Sequence, residues 1–90
     1  MSISIKIVSN NEYQVAVKSK TVTTHLVTLS DEVHKNLTNE QVTKEELLEF
    51  SFKFLLDREP NTSILSFFEL TVISRYFSDF EKSVKKWCSS

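Results

Sequence analysis

The sequence predicts an α+β fold: a three-stranded antiparallel meander at the N-terminus, followed by four to five helices packed on one face of it. Three observations predict this. Apolar and polar residues alternate through the first third of the chain, the period of a half-buried strand. Beyond Ser30 the apolar residues recur at three and four, and helix-capping signals precede them. The chain has 90 residues, 40% of them hydrophobic, which is enough apolar material for one core and too short a chain for two.

The strands come first. Ile3, Ile5 and Ile7 share one face, with Ser2, Ser4 and Lys6 on the other. Asn10-Asn11 is the best turn pair available without glycine, because asparagine tolerates the left-handed region. Tyr13, Val15 and Val17 line the next strand opposite Gln14 and Lys18. A polar break, Lys18-Ser19-Lys20, leads into residues 21–29, rich in β-branched side chains as strands are.

The helices follow. Ser30 caps a short helix whose apolar pair is Val33 and Leu37. A polar connector, residues 38–41, ends at a strong start signal. Thr43 is the N-cap, Glu46 completes a capping box, and Val42 with Leu47 forms a hydrophobic staple. This helix is expected to run to Arg58, with Pro60 ending it because the residue before a proline is pushed out of the α region. Its apolar residues, including Leu47, Phe50, Phe52, Phe54 and Leu55, cover roughly two-thirds of its circumference. Only Glu46, Glu49, Lys53 and Asp57 make a polar strip, so the helix must be contacted on several sides. The crowded run from Ile64 to Phe77 reads as two short helices broken near Leu70-Thr71, with Thr71 as a cap. Ser78 with Glu81 offers a last capping box, before a helix with the stripe Phe80, Val84, Trp87 and Cys88.

The run Ser51-Phe52-Lys53-Phe54-Leu55-Leu56-Asp57-Arg58-Glu59-Pro60, then Ser63-Ile64-Leu65, Tyr76-Phe77 and Phe80-Glu81, resembles a family of small bacterial proteins without an assigned activity. Their shared mark is an aromatic "FLLxREPxxSIL…YF" helical block. The strand segment Thr24-His25-Leu26-Val27-Thr28 is similar as well. The resemblance implies a bacterial, intracellular protein and supplies no mechanism.

Composition excludes several chemistries. There is no glycine. A phosphate-wrapping P-loop, a dinucleotide fingerprint and a nucleophile elbow all need one where a Cβ would otherwise stand. The single cysteine, Cys88, permits no internal disulfide, and a place near the chain end gives a nucleophile neither base nor pocket. No apolar h-region opens the chain and no run approaches the roughly 20 residues of a bilayer span, so a cytoplasmic protein without membrane contact is expected. The sequons at Asn36 and Asn61 then read as helix-end and turn residues.

His25 and His34 lie nine residues apart, without the closely spaced ligand pairs of a structural zinc site. His25 is expected half-buried or at the surface, and His34 solvated. No metal and no cofactor is expected. The carboxylates Glu45, Glu46 and Glu49 look like a solvated helix face and not an acid–base pair. A chain this small also leaves little room for a pocket of about 300 Å³. The expectation is a protein that is not an enzyme.

Arg58 and Arg75 are expected to serve helix carbonyls or to pair with an acid such as Glu69 or Asp79; the functional alternative is an arginine pair gripping an acidic partner. Lys82, Lys85 and Lys86 cluster on the last helix and suggest, as an alternative function, a small nucleic-acid-associated regulator. The net charge of −1 weighs against it, because affinity for phosphates scales with the number neutralised. All seven phenylalanines and the one tryptophan lie in the helical half. A chain of this length has trouble burying so many, and association covers what is left. The leading expectation is therefore a non-catalytic protein acting through protein–protein contact, self-association first, as a homodimer. Phe50, Phe54, Phe67, Tyr76 and Trp87 are its candidate surface.

Overall fold

A computed structural model describes residues 2–89. Three strands come first: β1 (Ser2–Ile7), β2 (Glu12–Lys18) and β3 (Val22–Thr28). They pair antiparallel in an unbroken register, from Ser2 opposite Lys18 to Ile7 opposite Tyr13, and from Lys18 opposite Val22 to Glu12 opposite Thr28. The meander stands as expected. The β1–β2 turn differs in detail. Neither Asn10 nor Asn11 adopts a positive φ; a reverse turn closes instead through Glu12 N–H donating to Ser9 O at 3.4 Å, with Ser9 Oγ donating to Glu12 Oε1 at 3.1 Å.

Helix α1 (Asp31–Thr38) starts where Ser30 Oγ accepts from Val33 N–H. It stops at Asn39, in the left-handed region at φ 53°, where the cap N–H donates to Lys35 O. Asparagine takes here the position that glycine fills in most such caps. Helix α2 (Lys44–Leu56) carries the full capping box: Thr43 Oγ1 accepts from Glu46 N–H at 3.0 Å and Glu46 Oε1 accepts from Thr43 N–H at 2.9 Å. It ends at Leu56, two residues before Arg58; its last carbonyls are taken by Asp57, Arg58 and Glu59 N–H groups as the chain turns toward Pro60.

The segment after Pro60 departs from expectation. Residues 61–63 form a single 3-10 turn, and Phe67–Glu69 is a strand, β4, parallel to β3 with Phe68 opposite Val27. The sheet is therefore four-stranded and mixed, in the order β1-β2-β3-β4. From Phe67 to Leu70 exposure alternates, the period of a strand. Beside the ladder itself, Leu26 N–H donates to Ser66 O at 2.8 Å and Leu70 N–H to Thr28 O at 3.0 Å. Helix α3 (Val72–Tyr76) follows, without a side-chain cap from Thr71. Helix α4 (Phe80–Ser89) begins two residues after Ser78.

The core lies between one face of the sheet and the helices. Tyr13, Val15, Val17, His25 and Val27 are buried on the inner face, while Gln14, Lys18 and Thr24 on the outer face are exposed. Helix α2 is held inside the molecule. Its Phe52 packs near His25 and Phe68, with ring centroids at 5.4 and 6.1 Å, and Phe54 meets Phe77 and Phe80 edge-on at 5.9 and 5.2 Å. Glu45, Glu46, Glu49 and Lys53 remain outside. The chain thus sheathes its aromatic helix with its own sheet and α4. Among the described residues no helix is long and apolar enough to cross a membrane.

Candidate interaction surface

The five candidate surface residues do not form one patch. Phe54 is buried, so it belongs to the core. Phe50 and Trp87 stack on each other, with centroids 4.4 Å apart and planes 16° from parallel; both are half-buried above the polar strip of α2. Phe67 and Tyr76 are open to solvent, at 65% and 69% exposure. Phe67 stands on the outer face of the sheet beside Leu26, where strand parity leaves it no helix to pack on. Tyr76 lines a groove of about 380 Å³ with Leu55, Glu59, Leu65, Val72 and Phe77. That groove is larger than the size of the chain led us to expect. Its lining mixes apolar side chains with Glu59, Ser63 and Tyr76.

Arg58 has the structural role expected of it. Its Nη1 donates to Phe54 O at 3.1 Å, closing the end of α2, and its Nη2 donates to Asp79 Oδ2 at 3.0 Å. The guanidinium also lies over the Phe54 ring, 3.5 Å from its centroid. Arg75 is exposed in the last turn of α3. Lys82, Lys85 and Lys86 are all exposed on α4, and Asp79 is turned to Arg58.

Both histidines are placed otherwise than expected. His25 is buried, and its Nδ1 lies 2.7 Å from Leu65 O. A carbonyl can only accept, so Nδ1 donates there, while Nε2 is hydrogen-bonded to Thr23 Oγ1 at 2.9 Å. Thr23 Oγ1 in turn accepts from Asn61 Nδ2 at 3.0 Å, and the same amide donates to Thr21 O at 3.1 Å. This relay fastens the 61–66 segment to β3 and so positions β4. His25 could have been recognised from strand parity, since it shares the inward face with Val27; Asn61 carried no such signal. His34 is half-buried and donates from Nε2 to Val42 O at 2.6 Å. Among the described residues no group of three or more His, Cys, Asp or Glu side chains is placed to hold a metal ion.

The other apolar surface lies at the β1 edge of the sheet. Ile7 and Val8 are 59% and 53% exposed, and Ile3 and Ile5 are only half-buried against the core. Sequence reasoning named none of these four as surface residues, because alternation placed the isoleucines together on one strand face without showing how far that face is covered. Comparison of the chain with family models, with curated proteins and with solved structures gives no match.

Proposed function

We propose that this chain is a non-catalytic protein that acts through contact with other proteins, and first with a second copy of itself. The observation that carries this reading is the apolar surface left open after the core is filled. Ile7, Val8, Phe67 and Tyr76 are each more than half exposed, and large apolar groups in water favour association. The demand for a partner thus comes from the margins of the sheet and the mouth of the Tyr76 groove, not from the aromatic helix, which the chain covers by itself. A bacterial, cytoplasmic setting belongs to the same proposal and rests on the resemblance of the block from Phe50 to Glu81 alone, which no family model matches. Phosphate binding through Lys82, Lys85 and Lys86 is the weaker reading, because Glu81 sits beside them and the whole chain is slightly acidic.

Light scattering across micromolar to submillimolar concentrations tests the proposal. The expected result is a mass rising from one chain toward two. A mass of one chain throughout would remove self-association from the reading.

A further inference from the structure

We propose that two copies join through their β1 strands, antiparallel about a two-fold axis at Ile5, into one continuous eight-stranded sheet. This deepens the self-association reading and rests on it.

The argument begins with backbone direction. Val8 N–H donates to Glu12 O at 2.9 Å, so Val8 turns its peptide groups toward β2. Direction alternates along a strand. In β1, then, Ser2, Ser4 and Lys6 face β2, and Ile3, Ile5 and Ile7 aim their N–H and C=O groups at the free edge. The opposite side of β2 agrees: Asn11 O accepts from Leu29 N–H, which puts the odd-numbered residues of β2 toward β3. Among the described residues no other element reaches the outward groups of Ile3, Ile5 and Ile7. The edge also lacks the features that block pairing. It has no proline and no break in register, and its one charge, Lys6, projects from the outer face.

Side-chain parity then selects the register. In an antiparallel pair, facing residues share one side of the sheet, so odd must meet odd. Placing Ile5 opposite Ile5 of the second copy sets Ile3 opposite Ile7 and Lys6 opposite Ser4. All three outward residues then form hydrogen-bonded pairs, and the half-covered isoleucines of each core meet the other's. Sliding by two residues one way leaves Ile7 without an isoleucine partner; sliding the other way sets Lys6 against Lys6, which like charge opposes. The occupant is a second copy, because from Ile3 to Ile7 the strand is complementary to itself: isoleucine meets isoleucine and Lys6 meets Ser4. The joint is about 20 Å long at the usual rise per residue, so it falls at the small end of specific interfaces and a micromolar dissociation constant is expected.

The experiment compares the intact chain with three variants by light scattering. Ile5→Pro removes a donor that faces only the free edge, a place where proline is tolerated. Ile7→Lys puts a charge at the exposed end of the joint. Each is expected to raise the dissociation constant at least about a hundredfold while circular dichroism stays native. The third variant is Ile5→Cys in a Cys88→Ser background. A short bis-thiol-reactive cross-linker should join it into a covalent dimer, since hydrogen-bonded antiparallel pairs hold Cα atoms about 5.5 Å apart, with side chains farther from each other than in non-hydrogen-bonded pairs. Ser4→Cys, which would face Lys6, should cross-link poorly. Should Ile5→Pro fail to fold, Ile7→Lys and the cross-link still decide. Persistent dimers in the edge variants with no Ile5→Cys cross-link overturn this joint and leave self-association standing. A wild-type monomer at every concentration overturns both.

Discussion

Arg58 lies over the ring of Phe54 while two of its guanidinium nitrogens hold Phe54 O and Asp79. One side chain thus closes α2 and ties it to the start of α4. Arg58→Lys keeps the charge and loses the planar stack and the fork. The expected cost is about 1 kcal/mol, from a partly exposed cation–π contact and one charge-assisted hydrogen bond. For a domain of this size that corresponds to a fall in Tm of roughly 4–8 °C. A melt unchanged from the intact chain would show the contact to be idle.

The relay from Asn61 through Thr23 to His25 gives a sharper test. His25→Ala leaves a cavity beside Phe52 and unpaired groups on Thr23 and Leu65, so a loss of about 3 kcal/mol is expected. Thr23→Val keeps the volume and removes only the hydroxyl, at a cost of about 1–2 kcal/mol. Denaturant unfolding measures both. Additivity of Thr23→Val with Asn61→Ala would argue that the two are not linked.

Stability should respond to acid at the paired helix starts. Lys44, hydrogen-bonded and close to Asp31, holds that carboxyl below its ordinary value. A carboxylate lowered in the folded state stabilises the fold above its unfolded pKa, and that contribution is lost as pH falls through the folded value. Carboxyl-detected NMR should find Asp31 titrating low, and Lys44→Ala should return it upward. An unmoved Asp31 in that variant would break the assignment.

At the alkaline end, burial first of all raises the Tyr13 hydroxyl above its ordinary value, with Lys44 opposing. The sign is reversed here: the contribution is present below the unfolded pKa and lost as pH rises through the folded one. Tyr13→Phe should flatten the alkaline limb of a stability profile. A limb of unchanged slope would assign it to other groups.

Trp87 reports on its partner. Phe50→Ala removes the stacked ring, worth about 1 kcal/mol beyond area, and opens the indole to water. A red-shifted emission with preserved helix content is expected. Emission identical to the intact chain would mean that the stack does not shape the indole's surroundings.

How far the sequence could be read depended on the range of each interaction. Ser30, Thr43 and Glu46 act within four residues, and they start α1 and α2 as their local chemistry requires. The meander is equally local. Strand β4 was not legible because Phe67-Phe68-Glu69 is bracketed by Ile64, Leu65 and Leu70, and crowding of that kind suits a helix as well as a strand. What decides is a partner about forty residues earlier, Leu26 to Thr28, and no window along the chain contains both. Among the candidate surface residues, Phe67 and Tyr76 are the two the fold leaves most open, while Phe54 is withdrawn because α4 lies over its side of α2. The β1 edge escaped notice because alternation tells which face a side chain takes and nothing about which strand is outermost.

The parallel joining of β3 and β4 also sets an order of events. Hairpins close with little chain to gather, whereas a return across α1 and α2 must draw in a long loop first. The meander can thus assemble early, with the β3 margin bare until the Phe67 segment arrives. During synthesis, that margin waits for residues made well after it. Anything that delays the late arrival, such as loss of the Asn61 clasp, leaves a second unguarded border on the nascent sheet and a route to aggregation. Pulse-labelled amide exchange would record it as Leu26 and Leu70 gaining protection after the first two hairpin ladders.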